Sequence, residues 1–305
     1  RTARSPWVDF VHGPHTYFNR KFGDGMHLGR FATAHWHKFG KYVVDQFDFG
    51  THHTPENLAR GATRERVLEN MKRGLGHNLQ TKAALYWYNG GPGNYGSAAH
   101  HGPTLWGRLH YDDDAYRDLI AASVALLRSP PGQPAAEIAV IHSTESLCDL
   151  NLRDARQVAN LFGGYFRSLA MAGVGAPFDE WYLEDFASVD RPYKVYLFPT
   201  PFRVPRALRA QIRAKLDREK ATAVWFYAPG LFDEHGADLA HCEVLTGIRL
   251  GRLHGLQHVQ VDFEDGTGSY GTDFDPQMIQ SRCGFWPAPP DYRLATAFYV
   301  NDPAA

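Results

Sequence analysis

The residues able to do chemistry crowd into three stretches of the first half of the sequence. The run Lys41-Tyr42-Val43-Val44-Asp45-Gln46-Phe47-Asp48-Phe49-Gly50-Thr51 sets two carboxylates around an amide and is followed by His52-His53. Upstream, Gly13-Pro14-His15-Thr16-Tyr17 leads to Arg20; downstream, Tyr86-Trp87-Tyr88 opens a segment holding Tyr95, His100-His101 and Trp106. Carboxylates move protons or attack electrophilic carbon, a guanidinium orients carboxylates and hydroxyls, and aromatic faces stack on flat apolar surfaces.

Spacing sorts these groups. On a strand, alternate side chains share a face, so Gln46 and Asp48 point one way and Asp45 the other, toward a helix layer if Gln46 faces the working side. Asp48 is therefore the better functional carboxylate, with loop capping as its alternative, and Asp45 reads as structural. The paired histidines point to opposite sides of an extended chain and lack a carboxylate at ligand spacing, so neither a metal nor any other cofactor is expected. Cys148, Cys242 and Cys283 are odd in number and far apart, which argues against a disulfide framework and for buried thiols.

The positioning elements repeat. Strand-like runs at Trp7–Val11, Lys41–Phe47 and Ala83–Tyr88 are each followed by a loop and a helical stretch, over about 26–39, 63–75 and 114–127. In the last of these, Tyr116, Leu119, Ile120, Val124 and Leu127 recur at the spacing of one helix face. Repeated strand-helix units predict a parallel sheet. The loops after the strands are long and rich in His, Gly and aromatics, whereas returns such as Phe39-Gly40-Lys41 are short, an asymmetry expected of a barrel with its chemistry at one end.

Ser129-Pro130-Pro131-Gly132-Gln133-Pro134 is the expected boundary between a first domain, 1–130, and a second, 136–305. The second begins with a strand at Ile138–His142. A helix follows over 155–171 with Val158, Leu161, Phe162, Tyr165, Phe166 and Leu169 on one stripe, then a strand at Lys194–Pro199, a helix from Pro205 through Arg218, and a strand at Ala223–Tyr227. That pattern is doubly wound α/β. In the helix from Pro205, Leu208, Ile212 and Leu216 are the expected buried stripe; beyond Cys242, strands are expected at His258–Phe263 and Ala295–Val300 around a Gly/Asp-rich turn region.

Val8-Asp9-Phe10-Val11, Gly13-Pro14, Tyr17 and Arg20, with Gly40-Lys41 and Asp48-Phe49-Gly50-Thr51-His52, resemble the barrels of clan-A glycoside hydrolases related to family 42 β-galactosidases. The resemblance implies the last three units of a (β/α)8 (TIM) barrel followed by a flavodoxin-like trimerisation domain. It also implies cleavage of a β-linked galactose-like sugar by two carboxylates. Counted from Lys41, the nucleophile's position in those relatives falls on Gln46, an amide that cannot attack as a carboxylate does, and Gly50 stands where they often have Arg. The same resemblance makes His15, Tyr17, Arg20, His52, Trp87 and Tyr88 candidate substrate contacts beside Gln46 and Asp48. Of the aromatics, Tyr86 reads as core, while Trp87 and Tyr88 divide between packing and sugar stacking. A non-catalytic carbohydrate-binding or assembly protein on a decayed barrel is the alternative.

Three strands cannot close an eight-stranded barrel, and the acid/base of the relatives sits on a strand with no counterpart here, so the sequence reads as a fragment. The charge balance, 32 Lys+Arg against 33 Asp+Glu with no basic run, excludes nucleic acid as an expected partner. No apolar run approaches the roughly 18 residues of a membrane span, and a soluble protein of undetermined compartment is expected. The expected partners are a carbohydrate and further copies of the chain, in a trimer if assembly follows the relatives.

Overall fold

The computed structural model describes residues 2–15, 29, 31–48, 63–88, 114–128, 136–148, 171, 175–226, 229–250, 257–262 and 269–274. The chain is mixed α/β and divides into two compact units, Arg1–Ile138 with Gly164–Trp181, and Ala139–Gly163 with Tyr182–Ala305.

In the first unit β1 (Phe10–Pro14), β2 (Tyr42–Asp48) and β3 (Ala84–Tyr88) form a parallel sheet in that order. The helices described between and after them are α1 (Thr33–Lys38), α2 (Arg64–Thr81) and α3 (Asp114–Arg128). The first strand begins three residues later than Trp7–Val11 would have it. Ser5 to Val8 is a turn closed by the Val8 N–H on the Ser5 carbonyl at 3.4 Å, leaving Trp7 90 % exposed. Gly40 turns α1 into β2 at a φ of +70°, a left-handed conformation that suits glycine, while its N–H caps the His37 carbonyl.

Helix α2 starts on Thr63, whose hydroxyl accepts from the Arg66 N–H, with Glu65 in the positively polarised first turn. It runs on to Thr81, a turn and a half past the apolar run that marks it in the sequence. Its inner face is partly polar there, with His77 and Asn78 both buried. One face of the sheet is the core: Phe47 and Met71 are buried with Leu68, Leu85, Trp87 and Leu119 against them, and Val43, Trp36 and Ala83 form a second cluster with Val11, Phe31 and Phe39. Full burial of a side chain the size of Phe47 or Met71 stabilises by about 1.5–3 kcal/mol. The opposite face, alternating with it, presents Phe10, Tyr42 and Tyr86, all exposed.

Four further strands are β4 (Ile138–His142), β5 (Phe178–Tyr182), β6 (Val195–Phe198) and β7 (Thr222–Trp225); β6 and β7, both in the second unit, pair in parallel. Between β4 and β5 lies the one-turn helix α4 (Glu145–Cys148); α5 (Arg206–Glu219) connects β6 to β7. The hairpin β8 (Phe232–Asp233) and β9 (Gly236–Ala237) leads into α6 (Leu239–Thr246), capped by Asp238 on the Ala240 N–H. Where a turn region is expected after His258–Phe263, β10 (Gln257–Asp262) pairs antiparallel with β11 (Ser269–Phe274). The expected helix over 155–171 and strand at Ala295–Val300 lie outside the described residues, Met171 excepted.

Helix α5 buries a different stripe from the expected Leu208, Ile212 and Leu216: Arg209, Ile212 and Lys215 face inward, and the two leucines are half-buried. Both cations have acceptors waiting. Lys215 donates to the Val189 carbonyl at 2.8 Å and Glu219 Oε1 at 2.6 Å, and Arg209 donates from Nε to the Val204 carbonyl at 3.0 Å and lies 3.2 Å from Asp233 Oδ2.

Candidate functional site

Strand register decides which candidates meet. Gln46 pairs with Pro14 on β1 and Tyr86 on β3, so the three share one row and one face of the sheet. His12, one row toward the amino ends opposite Val44, turns its ring against Tyr86 with centroids 5.7 Å apart and planes at 61°. An amide, an imidazole and a phenol ring thus stand together on the accessible face, Tyr86 being 45 % exposed. Of this trio only Gln46 is marked in the sequence. Tyr86 reads there as core because nothing in the sequence fixes the register of β3 against β2.

Trp87 goes the other way. Its ring packs on Phe47, centroids 5.2 Å apart, in the helix-facing core. Asp48 and Tyr88 end their strands as register partners. Tyr17, Arg20 and His52 lie outside the described residues.

Behind Gln46 the sheet carries a buried polar cluster. Asp45 is fully buried on the helix side and accepts from Asn78 Nδ2 of α2 at 3.2 Å. The same amide nitrogen lies 3.3 Å from the carbonyls of Ala83 and Ala84, stitching α2 to the start of β3. His15 is placed here, 1 % exposed, with Nε2 3.7 Å from Asp45 Oδ2, and its ring stands edge-on to Phe47 and His77. At 3.7 Å the His15–Asp45 contact is longer than a hydrogen bond. His77 accepts the Gly29 N–H at Nε2, which fixes the tautomer with its proton on Nδ1. Gly29 has no room for a side chain: a Cβ there would lie 2.7 and 2.8 Å from the two Asp45 oxygens.

This cluster has no counterpart on the accessible face, and it shows why Asp45 and Gln46 divide as they do. A buried carboxyl group is costly to keep charged, and donors such as the Asn78 amide make the position tolerable. A cavity of about 30 Å³ adjoins the cluster, lined in part by Phe31, Thr33, His77 and Glu180. It has room for a water or two, not for a sugar ring. Among the described residues no group of three or more His, Cys, Asp or Glu is arranged to hold a metal ion, and no helix is long and apolar enough to cross a membrane.

The second unit has its own polar clusters. Ser143, after β4, donates from its hydroxyl to Glu184 Oε1 at 2.8 Å and accepts from the Ser146 N–H, while its own N–H donates to Thr200, after β6. Asp233 is 2 % exposed; burial opposes its ionisation, but the His235 N–H, His241 and Arg209 outweigh it and hold the carboxyl below its ordinary range. Burial pushes the Cys242 thiol up to about 12, so it is an inert core residue.

No protein-family model and no curated protein matches this chain. Among solved structures it is similar to a β-galactosidase from Bifidobacterium adolescentis, 16 % identical with a TM-score of 0.28, covering 45 % of this chain and 90 % of that one. It is also similar to Gan42B, a GH42 β-galactosidase, 18 % identical with a TM-score of 0.41, covering 66 % of this chain and 31 % of that one. Both likenesses are too loose to carry an argument about chemistry, which rests on the chain's own residues.

Proposed function

We propose that this chain is a glycoside-hydrolase-type protein whose β1–β3 units belong to a (β/α) barrel and whose second unit is a flavodoxin-like assembly domain. A β-linked galactose-like sugar is held over the carboxyl ends of β1–β3. The observation that carries the reading is the row Pro14–Gln46–Tyr86 with His12 against Tyr86: it gathers an aromatic ring and two hydrogen-bonding groups on the accessible face of parallel strands. An aromatic ring covers the apolar face of a sugar while amide and imidazole groups bond its hydroxyls. Gln46 stands where the resemblance puts the nucleophile, with Asp48 two residues on as the nearest carboxylate position toward the carboxyl end.

Retaining hydrolysis needs two carboxyl groups about 5–5.5 Å apart. The amide at Gln46 supports sugar binding without turnover as the second reading, in which the same row is a recognition surface. Replacing Gln46 with Glu separates the two. A gain of aryl-galactoside hydrolysis is the expected result for the hydrolase reading. Sugar binding by calorimetry in the unaltered chain, with no gain of turnover in Gln46→Glu, favours the binding reading. Absence of both binding and turnover refutes the carbohydrate assignment.

A further inference from the structure

We infer that the outer face of α3 docks on α3 of a second copy of this chain, the two helices antiparallel about a two-fold axis at Ala121. The inference shares no residue with the sugar reading and does not depend on it. From Leu119 to Leu127 the only polar side chain is Ser123. That one is turned inward, 1 % exposed, with its hydroxyl donating to the Leu119 carbonyl at 2.7 Å. The outer side is left with Ala121, Ala122, Val124, Ala125 and Leu126, all exposed, Val124 by 44 % and Leu126 by 46 %.

A helix that is apolar all round is ordinarily covered all round. Here the cover is on one side, where Leu119 joins the Phe47–Met71 cluster. The neighbouring α2 shows the contrast: its outer side carries Glu65, Arg66, Glu69, Lys72 and Arg73, the polar face of a helix that meets water. At about 3.6 residues per turn, Ala121 and Ala125 run along the middle of the outer side of α3 in line with Asp114 and Asp118, while Val124 and Leu126 stand at its margins. Small residues in the middle let a second helix approach closely, and the larger ones at the margins close over it.

Charge decides what lies there. The outer ridge is acidic at its amino end, with Asp114 and Asp118, and basic at its carboxyl end, with Arg128. Asp114 pairs with Arg117 of its own turn, and Asp118 and Arg128 make no ion pair among the described residues. Ala121 is midway between Asp114 and Arg128. In an antiparallel pair centred there, Ala121 faces its own counterpart and Arg128 of each copy comes level with Asp114 of the other, leaning back toward Asp118 because helical side chains tilt toward the amino end. The same contact forms twice, as a two-fold interface requires. A parallel pair would set acid against acid at one end and base against base at the other.

Sedimentation velocity of the full chain over a series of concentrations reads the association, and Ala121→Glu tests the face. Glutamate is a good helix former at an exposed position, so the fold, followed by circular dichroism, is kept while two carboxylates meet at the axis. The unaltered chain should sediment as a dimer or a larger species, and Ala121→Glu should weaken the association at least about tenfold, since like charges brought together in an interface repel. Ala121→Cys should form a disulfide-linked dimer on air oxidation, beyond any linkage in the unaltered chain, and Lys72→Cys on the outer side of α2 should not.

A chain that stays monomeric throughout would overturn the inference and leave the face to a different partner. An association that Ala121→Glu leaves unchanged would overturn it by placing assembly elsewhere on the molecule. Cysteines that link no better at position 121 than at position 72 would overturn the antiparallel pair.

Discussion

Two glycines in one helix should respond to alanine with opposite signs. Gly74 and Gly76 both lie inside α2, where glycine costs about 1 kcal/mol relative to alanine through backbone entropy, so propensity alone makes both substitutions stabilising by that amount. Packing separates them. A Cβ at Gly76 meets nothing within 4 Å, and Gly76→Ala should raise stability by about 0.5–1 kcal/mol. At Gly74 the added carbon would fall on the Phe47 ring, 2.5 Å from Cδ2 and closer still to Cε2. Ordinary contact begins about an ångström farther out, and the ring is 1 % exposed with Met71 and Trp87 packed against it, so it cannot step aside freely. Overpacking of this kind costs about 1–3 kcal/mol, which cancels or exceeds the propensity gain and makes Gly74→Ala neutral to destabilising by up to about 2 kcal/mol. Urea unfolding followed by far-ultraviolet circular dichroism measures both, and trimming the obstacle in Gly74→Ala/Phe47→Leu should recover part of the loss. Equal stabilisation by the two alanines would refute the close approach of α2 to β2 and the packing argument with it.

The second unit's buried carboxylates set a direction with pH. Burial opposes ionisation of Asp233 and Glu219, but their donors and neighbouring cations outweigh it and hold both below the ordinary range. A depressed folded pKa means stability that is present above the unfolded value near ~4 and lost as pH falls through the lower folded values. Urea midpoints for the second unit should therefore drop on acidification below that value, and less so in Asp233→Asn. Lys215→Met should destabilise by about 3 kcal/mol at neutral pH, because it removes the nearer and buried one of the two cations beside Glu219, whose side chain is 9 % exposed; an unchanged midpoint would mean that the Lys215–Glu219 pair contributes nothing.

Elements with a strong apolar period were legible in the sequence. The β4 strand at Ile138–His142 and the start of α3 at Asp114 agree with it to the residue, although Val124 of the expected α3 stripe is exposed and Ser123 is buried beside it. Elements whose inner faces are polar were not. The buried stripe of α5 includes Arg209 and Lys215, and no periodicity count assigns a cation to the interior, because its burial depends on carbonyls and carboxylates supplied by residues distant in sequence. The site shows the same division. That Asp45 and Gln46 part to opposite faces follows from strand alternation alone. That Tyr86 rather than Trp87 joins Gln46 depends on the β2–β3 register, and the His15 ring beside Asp45 depends on how α2 crosses the sheet.

The two faces of the β1–β3 sheet also differ along the strands. On the helix side the layer is apolar around Val43, Trp36 and Ala83, polar at Asp45, His15 and Asn78, and apolar again at Phe47, Met71 and Trp87. On the accessible side the register row Phe10–Tyr42 near the amino ends is aromatic, and the row Pro14–Gln46–Tyr86 toward the carboxyl ends mixes a ring with an amide. Parallel strands are ordinarily covered on both faces, so the exposed Phe10 and Tyr42 have the composition of a packing layer. The buried cluster and the accessible row share a strand, Asp45 and Gln46 being neighbours on β2.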